Sequence, residues 1–305
     1  METEIINLLK NEGKLSDETI NEISNIEIHD FFDSVKELGN GETKHIKKEK
    51  IQDGLNTKFI GKDIFIFKEV MSTNTVAKFF AENNIGDGAV IISEKQTNAK
   101  GRSGKPWESP LGGVWLSIII NPYVDQSKLP IITLATGLAV ERTFERLGIT
   151  NAEIKWPNDI LINDKKVCGV LTEAIAKFNS IEHVIVGVGI DVNLDVNELP
   201  KDLQEGTTSL NLETGEEIDE NLIIKIFLEE FEKICETFIN EDYDTILKEW
   251  RKHSYTIGKN VEIREPFGKT YEGYVVGIDK HGVLIIEKPD GELKKVISGE
   301  CIIKN

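Results

Sequence analysis

The residues best suited to chemistry are concentrated between Glu94 and Pro110, which read EKQTNAKGRSGKPWESP. Lys95, Lys100, Arg102 and Lys105 stand there against one acid, Glu94, in the run up to Trp107. Gly101 and Gly104 interrupt the run, which follows a strand-like segment and has neither a helical nor a strand period. A basic, glycine-containing loop can close over a phosphorylated ligand with backbone N–H groups and cationic side chains. The planar fork of Arg102 suits phosphate bidentately, and Trp107 can stack on a base. The competing reading is a solvated surface loop whose tryptophan packs on the core. The glycine spacing is not that of the GxxxxGK[ST] phosphate loop.

Three shorter stretches add to it. Lys155–Leu161, KWPNDIL, is followed by Lys165-Lys166-Val167-Cys168-Gly169-Val170-Leu171-Thr172-Glu173. Asn158, Asp159 and Asp164 read as a tight polar turn between two apolar strands. Lys166 stands at the mouth of the apolar run VCGVL, where a lysine needs an anionic partner, and Gly169 lets a ligand approach the backbone. Gly187-Val188-Gly189-Ile190-Asp191 puts two glycines in a strand, which marks either close approach of a ligand or a β-bulge. Ser72-Thr73-Asn74 lies between a strand and a helix-like segment and by itself reads as an N-cap with polar neighbours.

The elements that must position these residues fall into three sections. Residues 1–50 look helical, with Ile5, Ile6, Leu8 and Leu9 on one face and Ser16 as an N-cap. Residues 51–253 alternate strand-like segments (DIFIFKEV, GAVIISEKQ, GVWLSIIINP, AEIKWPNDILI, VCGVLTEAI, HVIVGVGIDVNL) with amphipathic helices (LPIITLATGLAVERTFERLG, NLIIKIFLEEFEKICETFIN). Strands that mostly follow one another across turns predict an α+β fold with a mixed or antiparallel sheet, not a doubly wound parallel one. Residues 254–305 carry short strands with Gly turns and the hairpin signal PDGE at 289–292, which predicts a small β-barrel.

Composition bounds the function. The 305 residues include 53 acids against 36 bases, a formal charge of −17, which repels nucleic acid and acidic membranes unless a basic patch offsets it. The N-terminus has no basic region followed by an apolar run, and no stretch approaches the ~18 apolar residues of a membrane span, so a cytoplasmic protein is expected. Cys168, Cys235 and Cys301 are far apart, and the five histidines show no ligand spacing. Neither a disulfide framework nor a metal site is assigned.

Taken in order, Ser72-Thr73-Asn74, then Gln96 with Gly101-Arg102-x-Gly104-x-x-Trp107, then KWPND, then KxxGxLxE at Lys166, Gly169, Leu171 and Glu173, then GxGI, the motifs resemble those of biotin protein ligases. The resemblance covers roughly residues 55–305 and includes the C-terminal WRKHSYTIGKNVEI and GIDKHGVLIIE. It implies a catalytic domain related to class II aminoacyl-tRNA synthetases and lipoate ligases, followed by an SH3-like barrel. The implied division is an N-terminal helical section at 1–52, a degenerate winged-helix remnant, then a biotin- and ATP-binding domain at 53–253 and an SH3-like domain at 254–305. The implied reaction is activation of biotin by Mg²⁺·ATP to biotinyl-5′-AMP, then transfer to a lysine of a carboxyl carrier protein or domain of an acetyl-CoA or pyruvate carboxylase.

The resemblance also implies roles. Ser72, Thr73, Asn74 and Gln96 line the biotin site with Gly169, Gly187 and Gly189. Lys100, Gly101 and Arg102 cover biotin and the adenylate. Lys166 reaches the biotin carboxylate and the developing phosphate charge, and it is with Arg102 the expected catalytic pair. Arg102, Lys105, Trp107, Asn158, Asp159 and Asp191 serve ATP, with Trp107 flanking the adenine. Two departures stand out. The loop reads AKGRSGKP where the family commonly has GRGRRGR or GKGRRGR, and Asp191 stands where the family usually has Asn. Some members carry an N-terminal DNA-binding winged helix and double as biotin-sensing repressors. Residues 1–50 hold twelve acids against seven bases, which argues against a DNA reader. The rivals are a lipoate-type ligase of the same superfamily, a bifunctional ligase and repressor, and a ligand-binding module without catalysis. Members dimerise through the central sheet, so a homodimer is among the expected assemblies.

Overall fold

The structure of the chain, a computed structural model, describes residues 14–15, 43–83, 85–122, 124–177, 180–265 and 268–304. The Ser16 cap and the winged-helix comparison lie outside the described residues, as does most of the helical reading of residues 1–50. A two-residue strand β1 (Lys14–Leu15) pairs parallel with β3 (Glu69–Val70).

The central sheet has seven strands: β2 (Ile64–Phe67), β4 (Val90–Ser93), β5 (Gly113–Ile120), β6 (Ala152–Lys155), β7 (Asp159–Ile162), β8 (Lys165–Lys177) and β9 (Ser180–Asp191). Their spatial order is β2-β4-β5-β9-β8-β7-β6, antiparallel except for the parallel β2–β4 pair. The sheet is therefore mixed, as the succession of strands predicts.

Side chains alternate between the two faces of a strand. On β5, Val114, Leu116, Ile118 and Ile120 enter one core cluster; on β9, Val184, Val186, Val188 and Ile190 enter the same one. The helices α3 (Leu129–Arg146) and α6 (Glu220–Ile239) cover that face; the described residues also form the short helices α1 (Lys48–Gln52), α4 (Lys201–Gln204) and α5 (Leu210–Thr214). The opposite face carries Trp115, Ser117 and Ile119 on β5, Ile185, Gly187, Gly189 and Asp191 on β9, and Gly169 and Leu171 on β8. The helix α2 (Thr73–Glu82) packs on part of it through Val76, Ala77, Phe80 and Ala81, against Ile91, Ile119 and Ile185.

One turn reading and one cap reading are corrected. Asn158, Asp159 and Asp164 do not share one turn. Residues 156–158, with a cis Trp156–Pro157 bond, join β6 to β7, while Asn163 and Asp164 join β7 to β8. Both residues of the second turn have positive φ (51° and 65°), the conformation of a two-residue hairpin turn that Asn and Asp tolerate. Ser72 stands at the N-cap of α2 as expected, but its side chain caps nothing. The side-chain Oε1 of Gln96 accepts from Thr73 N–H at 2.8 Å instead, meeting one of the donors that a helix start leaves open.

Beyond α7 (Tyr243–Lys252), β10 (Asn260–Arg264), β11 (Thr270–Ile278), β12 (Leu284–Glu287), β13 (Leu293–Val296) and β14 (Glu300–Lys304) form an antiparallel sheet in the order β13-β12-β11-β10-β14. The PDGE segment turns between β12 and β13 with Gly291 at φ 82°. Trp156 fastens this unit to the central sheet: its N–H donates to Thr256 Oγ1 at 2.8 Å and its indole N–H to the Gly282 carbonyl at 3.2 Å.

The segment before β2 is held to α6 by carboxylates. Glu232, 5% exposed, accepts from the backbone N–H groups of Lys58, Phe59 and Ile60 at 2.6, 2.9 and 2.9 Å. Removing an acceptor strands buried donors, which costs about 1–3 kcal/mol. Glu232→Ala is therefore expected to lower folding stability by about 2 kcal/mol in urea unfolding. Glu236→Ala, which removes only the exposed pair with Lys58, should change it by less than about 0.5 kcal/mol.

Candidate functional site

A cavity of ≈ 330 Å³ opens over the bare face of β8 and β9. Every site residue expected from the sequence lines it: Ser72, Thr73, Asn74, Gln96, Lys100, Gly101, Arg102, Lys105, Trp107, Asn158, Asp159, Lys166, Gly169, Gly187, Gly189 and Asp191. These come from positions up to 119 residues apart, so the sheet topology alone brings them together.

The floor is made by absence of side chains. Gly169 pairs with Gly189 across β8 and β9, and Gly187 pairs with Leu171. No register shift falls at these positions, which decides for close approach and against a bulge at Gly187 and Gly189. A methyl on Gly187 would collide with the Asn74 carboxamide. On Gly189 it would lie 2.7 Å from Trp107 Nε1, and on Gly169 3.0 Å from the Trp107 ring. Asn74 and Trp107 thus rest directly on backbone.

At one end the polar groups form a closed network. Ser117 Oγ donates to Asn74 Oδ1 at 2.6 Å and lies 2.8 Å from Thr73 Oγ1. Asn74 Nδ2 donates to Glu173 Oε2 at 2.7 Å, and Lys78 holds the other Glu173 oxygen. Gln96 Nε2 donates to Ser109 Oγ at 2.9 Å. Ser117, Ser109 and the positioning function of Glu173 were missed in the sequence. The available signal for Ser117 was a serine inside the otherwise apolar strand GVWLSIII, where a buried hydroxyl needs partners.

The basic loop is ordered by its own backbone. Trp107 N–H donates to the Ala99 carbonyl at 3.0 Å and Gly101 N–H to the Lys105 carbonyl at 2.8 Å, with Ser103 (φ 56°) and Gly104 (φ 74°) making the tight turn. Its cations reach the C-terminal unit. Arg102 Nη1 donates to Asn158 Oδ1 and to the Gly299 carbonyl, both at 3.3 Å. Lys105 Nζ pairs with Glu300 at 2.8 Å, and this bond holds the Glu300 carboxyl below the usual carboxylate range. Burial lowers the Arg102 pKa, with Asp159 opposing, yet a guanidinium stays charged at any relevant pH. Lys100 is exposed at the rim.

Lys166 has the anionic partner expected of it: Asp159 Oδ1 lies 2.6 Å from its Nζ, which also sits 4.8 Å from the centre of the Trp107 ring. A register shift in the β7–β8 pair places it. Ile160 faces Cys168 but Leu161 faces Lys166, so Val167 is extra. Val167 and Cys168 both enter the core, and the bulge turns Lys166 onto the same face as Gly169. Trp107 meets Trp115 edge-on, with ring centres 6.4 Å apart, and its indole nitrogen is buried without a hydrogen-bond partner.

A cavity with a closed polar end, a bare backbone floor and cations over its middle is a site suited to acidic small molecules. Residues 66–191 match the model of the Biotin/lipoate A/B protein ligase family, and residues 256–304 match the Biotin protein ligase C terminal domain. The bifunctional ligase/repressor BirA of Bacillus subtilis is 36% identical over 256 residues, covering 84% of this chain and 78% of that protein. The biotin–[acetyl-CoA-carboxylase] ligase of Mycobacterium tuberculosis is 31% identical over 210 residues, covering 66% and 74%. Among solved structures, the biotin protein ligase of Aquifex aeolicus in complex with biotin and ATP superposes with a TM-score of 0.69 at 28% identity, covering 80% of this chain and 99% of that one. The chain belongs to the biotin protein ligase family.

The glycine floor makes a direct prediction. Gly187→Ala and Gly189→Ala should each cost about 1–3 kcal/mol of folding stability, the range for overpacking, and Gly189→Ala should also shift tryptophan emission by displacing Trp107. Gly206→Ala, where a methyl meets nothing within 4 Å, is the control and should be neutral in the same unfolding titration.

Proposed function

We propose that the chain is an ATP-dependent biotin protein ligase. It forms biotinyl-5′-AMP and transfers the biotinyl group to a specific lysine of a biotin carboxyl carrier protein or carboxylase domain. The closed polar end of the cavity carries this reading over the lipoate alternative. A ureido head offers one carbonyl acceptor and two N–H donors to the cavity-lining groups Thr73, Asn74 and Gln96. A dithiolane head offers neither and would separate those buried groups without replacing their bonds, the kind of mismatch a polar site rejects strongly.

In the first step a biotin carboxylate oxygen bonds to the α-phosphorus of ATP, the α–β bridge breaks and pyrophosphate leaves. Two anions must meet, so the barrier is mainly electrostatic. Lys166 moves from Asp159 to the carboxylate and the developing phosphate charge, acting through its charge rather than as a base. Arg102 holds the phosphate and retains the intermediate beneath the loop, which with Lys100 and Gly101 keeps water from the anhydride. In the second step the neutral carrier lysine attacks the acyl carbon and AMP leaves with the former carboxylate oxygen.

Mg²⁺ is expected on the triphosphate. Among the described residues no three His, Cys, Asp or Glu side chains come together as a cage. An ion that arrives on phosphate with its waters needs one or two protein oxygens. Asn158 and Asp159 are the cavity groups that would meet it, and the ion would neutralise phosphate charge.

The same reading divides the chain at 52/53 and 253/254, and the two separate sheets support the second of these borders. It takes the acidic residues 1–52 as a section without DNA binding, the protein as cytoplasmic, and a homodimer through the central sheet as the assembly. No helix among the described residues is long and apolar enough to cross a membrane.

Pyrophosphate release with Mg·ATP tests the function: it should occur with biotin and not with lipoate. Release with lipoate alone would make the chain a lipoate-type ligase, and release with neither would leave a binding module. Lys166→Ala should lower kcat about 10²–10³-fold, the scale of one lost charge-stabilising donor; an unchanged kcat would remove Lys166 from the mechanism. Arg102→Gly should speed dissociation of biotinyl-AMP, measured by chasing labelled intermediate, with an unaltered circular dichroism spectrum.

A further inference from the structure

The hydrogen bonds at the polar end of the cavity run in one direction, and that direction is fixed by a pair of residues behind the lining. Glu173 stands on β8 two positions beyond Leu171, on the face that carries Gly169. A carboxylate only accepts. Asn74 Nδ2 donates to its Oε2 at 2.7 Å, and Lys78 Nζ donates to its Oε1 at 2.5 Å. Asn74 and Lys78 are four residues apart on α2 and so share one helix face. Each Glu173 oxygen therefore has its own donor from the same helix. The residue opposite Glu173 on β9 is Ile185, which offers no polar group.

From that fixed end the direction passes inward. With its amide nitrogen on Glu173, and a second, weaker contact from it to the Leu171 carbonyl at 3.4 Å, Asn74 turns Oδ1 to Ser117. An amide oxygen only accepts, so the single Ser117 hydroxyl proton goes to it, at 2.6 Å. The Thr73 hydroxyl, 2.8 Å from Ser117 Oγ, then donates to Ser117. Gln96 is turned the same way from the other side. Its Nε2 donates to Ser109 Oγ at 2.9 Å and its Oε1 accepts from Thr73 N–H at 2.8 Å. Thr73 Oγ1 and Gln96 Oε1 stand 3.2 Å apart among the cavity-lining groups, and both have lone pairs left over. Thr73, Asn74 and Ser117 are buried, where a reversed bond is not made good by water.

We propose that Glu173, held by Lys78, is a positioning residue that sets the hydrogen-bond direction of this pocket and so its choice of ligand head, a ring carrying two N–H donors. The proposal rests on the reading that biotin occupies the polar end of the cavity. A cyclic urea brings two N–H groups to the acceptors Thr73 Oγ1 and Gln96 Oε1. A head of the same shape with ring oxygens in place of the N–H groups would set lone pairs against lone pairs. Glu173→Gln removes the fixed end. The new carboxamide has a single oxygen, which Lys78 takes, and its NH₂ faces Asn74. Asn74 then reverses, with its oxygen on the new amide and its nitrogen on Ser117. Ser117 donates to Thr73 instead of accepting from it, and the displaced Thr73 proton turns toward Gln96 and the cavity. One of the two acceptors offered to the urea is lost.

Calorimetric titration with biotin tests this on the full chain, on Glu173→Gln, on Lys78→Met and on the double variant. Glu173→Gln should raise the biotin Kd about ten- to hundredfold, the scale of a buried donor left facing a donor. Lys78→Met keeps the carboxylate and should raise it by no more than about threefold. In the double variant no cation takes the amide oxygen, which turns to Asn74 and restores the direction. Its Kd should return to within about threefold of that of Lys78→Met, so the second substitution rescues the first. A side chain that only packs, or acts only through its charge, gives no such rescue. Equal affinities of Glu173→Gln and the parent, a double variant no tighter than Glu173→Gln, or a loss in Lys78→Met as large as in Glu173→Gln would each overturn the proposal. The two side chains are 32% and 39% exposed, so all four proteins should unfold cooperatively on heating. The readout is binding and is separate from catalysis. Rescue without biotin-dependent pyrophosphate release would sink the ligase and leave Glu173 in place. Pyrophosphate release without the rescue would do the reverse, and a parent that binds no biotin would sink both.

Discussion

Gly169, Gly187 and Gly189 leave the cavity face of two paired strands without side chains, and the rest of the site is set against that bare backbone. Glycine in a strand costs about 0.5–1 kcal/mol relative to alanine. Here it leaves the room in which the Asn74 carboxamide and the Trp107 ring rest against the strands. Asn74 is then fixed by Ser117 and Glu173 on either side, and Trp107 by its edge contact with Trp115. A polar head pocket and an aromatic wall follow from one local choice of residue, repeated on neighbouring strands.

The second constraint is electrostatic. A chain of net charge −17 has to gather cations where two anions will meet, and hold them until those anions arrive. Three of the cavity's cations are lodged against groups that a ligand can replace: Lys166 on Asp159, Arg102 on an amide oxygen and a backbone carbonyl, Lys105 on an exposed glutamate of the C-terminal sheet. Exposed pairs of the last kind contribute little to stability. Their value lies in geometry, since they carry the basic loop across to Gly299 and Glu300 and bring the small C-terminal sheet to the rim of the cavity.

The period-two pattern made much of this legible. In GVGID the glycines and Asp191 alternate with core valines and isoleucine, so their shared face could be read directly, and the long helices fell where their amphipathic period put them. Three features were hidden by their nature. The extra residue at Val167 that aims Lys166 into the cavity is a property of how β7 and β8 pair, not of either segment alone. The contacts of Arg102 and Lys105 with Gly299 and Glu300 span almost 200 residues and have no local signal. The turn at Asn163–Asp164 was merged with the one at Asn158 because both are polar and short; only positive φ at two successive residues separates them.

The central claim is that carboxylate and α-phosphorus are joined in this cavity and that AMP is the leaving group. It is tested most directly by following oxygen. With biotin labelled by oxygen-18 in its carboxylate, Mg·ATP and an apo carrier domain, the account predicts that each transfer leaves one labelled oxygen on the phosphorus of AMP, read by mass spectrometry. Label in inorganic phosphate with ADP as co-product would mean an acyl phosphate in place of the adenylate, and would contradict it.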